Sequence, residues 1–224
     1  FQEQYLYASI PHDRRLLMEF YHDGDEKSKK YVIFHTLYGR RVNDVLSRAI
    51  AFAIGRSQHM DVEIGINDNG FYVSCDKNFN AKAAFKLMKS EELEKVLDLA
   101  IANSEILKRR FRHCAERALM ILRNYRGRSK TAGRQQVSSM LLLSAVRRIS
   151  ENFPILKEAK REVFQDLMDI GHAAEVLKQI ESKKIKIKEV DTKICSPFSF
   201  NLLAQGYSDI YKMEDKMEFL RKMH

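Results

Sequence analysis

Four arginines recur at short intervals in one stretch of the chain: Arg109, Arg112, Arg117 and Arg123. A guanidinium is a planar fork of donors that grips phosphate oxygens in pairs and stacks on flat rings. The positive series continues through Arg126, Arg128, Lys130 and Arg134, and Gln135 and Gln136 add neutral hydrogen-bonding groups. Between Ser104 and Arg134 stand ten Lys or Arg and two Glu, so this one stretch carries nearly all of the net charge of +9. Two readings fit such a run: the footprint of a protein that grips a polyanion, and a solvated face of a basic helix. A second pair, Arg40 and Arg41, follows Gly39 where an amphipathic pattern begins. Cations are unfavourable at a helix N-terminus. A bound phosphate would offset them, and a helix that starts at Asn43 instead would leave both in a loop. A bound anion is favoured for Arg41 and the loop for Arg40. Arg48 lies four residues after Asp44, the spacing of an intrahelical ion pair.

Other chemistries find no residues to carry them. The chain holds no GxxxxGKS/T, GxSxG or HExxH pattern, so no P-loop, nucleophile elbow or zincin helix is expected. His113 and Cys114 are neighbours, but adjacent helical residues point about 100° apart, and no CxxC pair accompanies them. No metal site is expected. Glu91, Glu92 and Glu94 stand where a helix begins, which complements the helix dipole. The expectation is no catalytic residue, no metal and no cofactor in this chain.

The elements that must position the arginines follow from periodicity. "RLLMEFY" and "KYVIFHT" are β-favouring runs joined by polar residues, an antiparallel hairpin. Val42, Val45, Leu46, Ala49, Ile50 and Ala53 have helical spacing, with an end expected near Gly55. "DVEIGI", "NDNG" and "FYVSC" read as a second hairpin, with Asn and Gly supplying positive φ in the turn. From about residue 80 to 180 the pattern is helical with breaks. A helix from Ser104 to Arg123 has Leu107, Phe111, Cys114, Ala115, Ala118 and Leu122 as its apolar stripe, with the arginines outside it. "RQQVSSMLLLSAVRRI" is strongly apolar in its middle and is expected as the central helix of the core, and Pro154 opens a further helix. "KKIKIKEV" alternates as an edge strand whose lysines discourage further pairing. Pro197 then breaks the chain, and "MEDKMEFLRKM" closes it as a last helix. The fold class is α+β: a small antiparallel sheet from the N-terminal third plus a late edge strand, packed on a larger multi-helix bundle. One domain over 1–224 is expected, with 1–78 mainly strands, 79–180 helical and 181–224 an edge strand and helix.

With 224 residues, 45% hydrophobic and 31% charged, the composition is that of a soluble globular protein. Three cysteines at wide spacing argue against a disulfide framework. No signal peptide or membrane-spanning run stands out, and a reducing, cytoplasmic compartment is expected. The chain begins at Phe1 rather than Met, as a piece of a longer protein would. Tyr38, Tyr125, Phe198 and Phe200 are candidate stacking platforms, each also a candidate core residue.

Three stretches, "HTLYGRRVNDVLSRA", "SEILKRRFRHCAERALMILRNYRGRSKTAGRQQ" and "FPILKEAKREVFQDL…SPFSFNLLAQG", resemble the helicase-associated (DEAD/H-associated) domain of the archaeal Lhr, or large helicase-related, family. The resemblance runs from about Ile10 to His224. It implies a superfamily-two, ATP-dependent helicase that moves 3′ to 5′ on DNA or RNA. In such a helicase two motor domains and a winged helix precede an accessory domain that helps form the channel for single-stranded nucleic acid. ATP and Mg would then belong to the parent protein and not to this chain. The partners implied are single-stranded DNA or RNA and the motor and winged-helix domains of the same polypeptide, without a membrane. The alternative is a docking module whose basic surface meets a protein or a neighbouring domain.

Overall fold

A computed structural model describes residues 1–22, 29–125, 127–129 and 131–210, with the backbone alone at 125, 128 and 206–210. The single domain expected over 1–224 packs as two compact units: residues 1–96 with 170–224, and residues 97–169. The helical stretch is therefore divided, and its last helix belongs with the sheet.

The first unit is built on five strands in the order β3-β4-β2-β1-β7. β1 (Arg15–His22) and β2 (Lys30–His35) form the first hairpin, and β3 (Glu63–Ile66) and β4 (Gly70–Cys75) the second. β7 (Lys186–Thr192) returns as the edge expected, but it runs parallel to β1, so the sheet is mixed. β2 and β4 are buried on both faces. Their even and odd residues therefore serve two cores. Phe34 stacks on Phe71 with ring centroids 4.6 Å apart and meets Phe85 of α3 (Ala81–Leu87) on one face. Tyr31, Ile33 and Tyr72 meet Leu202 and Leu203 of α9 (Pro197–Ile210) on the other. α9 begins at Pro197, which serves as a helix start rather than a break. The closing helix expected over 213–223 lies outside the described residues.

α2 (Arg40–Gln58) packs on β3, β4 and α3, and on α8 (Ile170–Glu181). It runs past Gly55 and ends at His59, which adopts φ 52°. Gly55 sits at a close approach: a Cβ there would lie 3.3 Å from the Met60 carbonyl oxygen, a tight contact where the chain folds back. In the second hairpin, neither Asn69 nor Gly70 has positive φ. The Asn67 side chain closes that turn by accepting the N–H groups of Asn69 and Gly70, each at 2.9 Å. A Cβ on Gly70 would lie 2.3 Å from the Phe34 carbonyl oxygen, so close strand approach demands glycine. A short helix, α1 (Gln2–Tyr7), precedes the sheet and was not anticipated.

The second unit takes in the end of α4 (Leu93–Ile101), then α5 (Glu105–Arg117), the short hairpin of β5 (Asn124–Tyr125) and β6 (Arg128–Ser129), α6 (Ala132–Ile149) and α7 (Pro154–Arg161). α7 runs on into a π-helical turn, Glu162–Leu167. Ser104 caps α5 by accepting the Leu107 N–H at 3.3 Å. α5 stops six residues earlier than its periodicity suggests. Met120 N–H bonds the Ala115 carbonyl at 2.9 Å and Leu119 N–H bonds that of Glu116 at 3.1 Å. These bonds form a Schellman motif, with Leu119 at φ 56° in the left-handed position that glycine usually takes. Ile121 turns into the core, while Leu119 stays 74% exposed.

α6 is not the central core helix that its apolarity suggests. Only Ser139, Leu143 and Val146 are buried, and Val137, Met140, Leu141 and Ile149 face outward. Apolar residues surround this helix, and its main packing partner within its unit is α5.

Candidate nucleic-acid interface

The charge is divided as unevenly in space as in sequence. Residues 97–169 hold 15 Lys or Arg and 8 Asp or Glu, out of 39 and 30 in the whole chain. Within this unit α5 buries Leu107, Phe111, Cys114 and Ala115 and sends its cations to two different flanks.

The flank toward α6 is a groove. One part, about 340 Å³, is lined by Glu105, Lys108, Arg109 and Arg112 of α5 and by Gln136, Ser139 and Met140 of α6. A second part, about 360 Å³, shares Lys108 and Met140 and continues past Leu143 and Ser144 to Arg147 and Arg148. Five cations thus line the groove against one carboxylate, Glu105, which accepts from Lys108 at 2.7 Å. Among the described residues no carboxylate pairs with Arg109, Arg112 or Arg148. The Arg112 Nε is buried without a hydrogen-bond partner among them. Arg147 is held by the Ala102 carbonyl and by Asn103 Oδ1. From Gln136 to Arg148 the α6 side of the groove runs about 18 Å, at 1.5 Å per residue.

The opposite flank carries arginines anchored on buried acids. Arg117 and Arg110 both reach Glu162, in the π-helical turn. Arg123, beyond the helix, donates to Glu116 at 2.6 Å. The Glu162 and Glu116 side chains are 4% and 7% exposed, whereas those of Arg117 and Arg123 are 59% and 64% exposed. The acids are interior posts and the guanidinium groups stand outward from them. The hydrogen bond to Glu162 raises the Arg117 pKa above its usual value. Burial, and then the Arg112 charge, lower that of His113, which favours a neutral imidazole amid the arginines. Burial raises the Cys114 thiol, with the Glu162 charge adding to it.

The arginines that the helical wheel leaves outside the apolar stripe thus go to two flanks. Arg109 and Arg112 belong to the groove, while Arg117 and Arg123 belong to the other flank and pair with acids. Arg134 is exposed in the first turn of α6, a turn without an acidic residue. Gln135 is half-buried, and its neighbour Gln136 lines the groove instead. Arg126 and Lys130 lie outside the described residues, as does the Arg128 side chain.

Arg40 and Arg41 stand in the first unit, both exposed, as the first two residues of α2. The helix does not start at Asn43. Asn43 is buried, donates to the Asn67 and Asp68 carbonyls at 2.9 and 3.2 Å, and accepts the Thr36 hydroxyl at 2.5 Å. The Arg40 N–H donates to the Asp68 carboxylate at 3.2 Å. The turn between β3 and β4 thus supplies one carboxylate acceptor at this helix entrance. Arg48 pairs with Asp44 at 2.6 Å, as its spacing predicts.

Three of the stacking candidates, Tyr38, Phe198 and Phe200, stand in the first unit. Phe198 meets Phe1 edge-to-face at 5.6 Å, Phe200 is half-buried, and burial pushes the Tyr38 hydroxyl up to about 12. The Tyr125 side chain is outside the described residues.

One cluster looks catalytic by composition alone. His35 Nε2 lies 2.9 Å from Glu19 and 3.1 Å from the Ser199 hydroxyl. Serine and carboxylate meet the same ring nitrogen, so no proton relay runs through the imidazole. Glu19 and Ser199 are fully buried and His35 is 4% exposed. Glu19 also accepts from Ser196 N–H and Oγ, Ser199 Oγ and Thr192 Oγ1. The cluster joins β1, β2, β7 and the start of α9, and its place is structural.

Sequence reasoning missed Lys108, Ser139, Arg147 and Arg148 as groove residues. The signal was present as spacing. Glu105, Lys108, Arg109 and Arg112 recur at i, i+3, i+4 and i+7, and Gln136, Met140, Ser144 and Arg147 repeat on α6.

Comparison with known proteins agrees with this architecture. Residues 10–199 match the family described as DEAD/H associated. The ATP-dependent helicase Lhr-Core of Methanothermobacter thermautotrophicus is 50% identical over 224 residues, all of this chain and 26% of that protein. The Saccharolobus solfataricus Lhr-Core is 42% identical over 99% of this chain and 26% of its own length. The solved structure of Mycobacterium smegmatis helicase Lhr bound to ssDNA and AMP-PNP superposes with a TM-score of 0.80 at 29% identity. That match covers 90% of this chain and 26% of that one. The chain spans about a quarter of the length of the relatives it matches. By its family match, its relatives and its fold, the chain belongs to the DEAD/H associated family, as the corresponding quarter of the Lhr helicases does.

Proposed function

We propose that this chain is the accessory nucleic-acid-binding part of an ATP-dependent 3′–5′ helicase, and that the α5–α6 groove holds the backbone of a single strand of DNA or RNA. The observation that carries this reading is the groove itself: five cations against one carboxylate, with Arg109, Arg112 and Arg148 lacking an acidic partner among the described residues. Such a surface is electrostatically costly without a polyanion to occupy it. The relative solved with ssDNA supports the class of ligand. Phosphate contacts position a strand without reading its sequence, so the role is to keep a strand in place while motor domains elsewhere in the parent polypeptide hydrolyse ATP with Mg. This chain then carries no ATPase centre, and it works in the cytoplasm with the motor and winged-helix domains. No helix among the described residues is long and apolar enough to cross a membrane.

The test is titration of a labelled single-stranded oligonucleotide into the 224-residue chain at increasing salt. A steep linear fall of log affinity with log salt supports the reading. Absence of binding at low salt removes it. A second reading, docking against another domain of the parent, is favoured by the outward apolar residues Val137, Met140, Leu141 and Ile149 of α6. Under that reading the chain binds no oligonucleotide but associates with the separately expressed motor domains.

A further inference from the structure

The other flank of α5 holds a pocket of about 690 Å³, lined by His113, Glu116, Arg117, Leu119, Leu122 and Arg123 among others; the Glu116 carboxylate in it is occupied by Arg123. Its floor is aliphatic, from Leu119 to Leu122. Two features of this floor are unexplained by folding. Leu119 occupies the left-handed position of the Schellman motif, where a side chain is strained and glycine is not. Yet Leu119 is 74% exposed, and Leu122 is 40% exposed, so neither side chain gains full burial in return. The rim is also prepared. Arg117 and Arg123 are each oriented by a buried carboxylate while their guanidinium groups stay open to solvent. Exposed aliphatic side chains in one pocket with two arginines, each held by a carboxylate, suit a weakly polar ring that carries an anion beside it. A nucleobase stacks on aliphatic or guanidinium surfaces, and its phosphate takes a fork of N–H donors.

We infer that this pocket receives one unstacked nucleobase of a single strand, with Leu119 and Leu122 beneath the base and Arg117 and Arg123 on its adjoining phosphates. The inference rests on the reading of the α5–α6 groove as a backbone-binding surface, and the pocket adds base contact to it. Groove and pocket share one helix: Arg109 of α5 lines the groove, and His113, one turn further on, lines the pocket. The base contact is sequence-tolerant, since each base offers a ring face.

The experiment compares two oligonucleotides of equal length and charge, one with normal bases and one with several consecutive abasic sites. The chain is expected to bind the base-bearing strand about tenfold more tightly. Leu119→Gly with Leu122→Ala is expected to bind both strands equally, at the abasic affinity, because glycine suits the left-handed turn and the fold is kept. Arg109→Glu with Arg112→Glu weakens both strands together and leaves the preference in place. Equal affinity of the unaltered chain for the two strands overturns the pocket and leaves the groove standing. A preference that survives Leu119→Gly with Leu122→Ala places base contact elsewhere and also overturns it. No binding of either strand at low salt overturns the groove reading, and the pocket with it.

Discussion

The Ser196 hydroxyl donates to Glu19 at 2.6 Å and so ties β1 to the start of α9 across 177 residues of chain. Burial pushes the Glu19 carboxyl up, but hydrogen bonds from His35, Ser196 and Ser199, with the His35 charge, overcome it and hold the group down at about 2. The ordinary value is 4.5. A carboxyl depressed on folding stabilises the native state fully above its unfolded pKa. That stabilisation is lost as pH falls from 4.5 toward 2. The loss expected is about 3 kcal/mol, visible as a falling Tm in thermal melts across that range. Glu19→Ala should remove the acid-dependent step and cost about 3 kcal/mol at neutral pH, since it strands several buried donors. A variant that melts like the parent at pH 7 would show that the cluster does not anchor α9.

At the start of α2 the internal anion predicts a smaller effect. Asp68→Ala removes the acceptor of the Arg40 N–H and its negative charge at the helix entrance. It should lower stability by about 1 kcal/mol in urea unfolding. Asp68→Asn, which keeps an acceptor, should cost less. Equal stability of all three chains would place the entrance charge balance elsewhere.

Leu119→Gly should raise stability, unlike most substitutions. It removes left-handed strain of about 1–2 kcal/mol, partly offset by the greater freedom of glycine in the unfolded chain. A net gain of about 0.5–1 kcal/mol in chemical denaturation is expected. A clear loss would mean that the exposed Leu119 side chain packs in solution.

In the groove, each cation that meets a phosphate should contribute about 0.7 to the salt slope for a single strand. Arg109→Glu with Arg112→Glu should flatten that slope by about 1.4 or more and lower affinity at least tenfold, with Tm almost unchanged. Arg147→Ala should weaken binding less and cost some stability, because Arg147 is tied to the Ala102 carbonyl. If the double variant unfolds, those arginines hold the helices together and the groove is structural.

The sequence by itself determined what local periodicity and local steric demand control. The two hairpins, the Ser104 cap, the Pro154 start, the Asp44–Arg48 pair and the lysine-bearing edge strand depend on residues a few positions apart. The chain writes such relations directly. The concentration of charge between Ser104 and Arg134 was equally plain, and so was the resemblance to the Lhr helicases. Tertiary structure alone decided the rest. It placed Arg109 and Arg112 in an open groove while Glu162, 45 residues beyond Arg117, drew that arginine to the other flank. It supplied the anion at Arg40 from Asp68, 28 residues away. It left α6, strongly apolar in its middle, with Val137, Met140, Leu141 and Ile149 facing outward, and kept α2 helical through Gly55. In each case the deciding partner is distant in sequence. A guanidinium, a helix end or an apolar face shows what it requires from its own residues, and only the folded chain shows what meets the requirement.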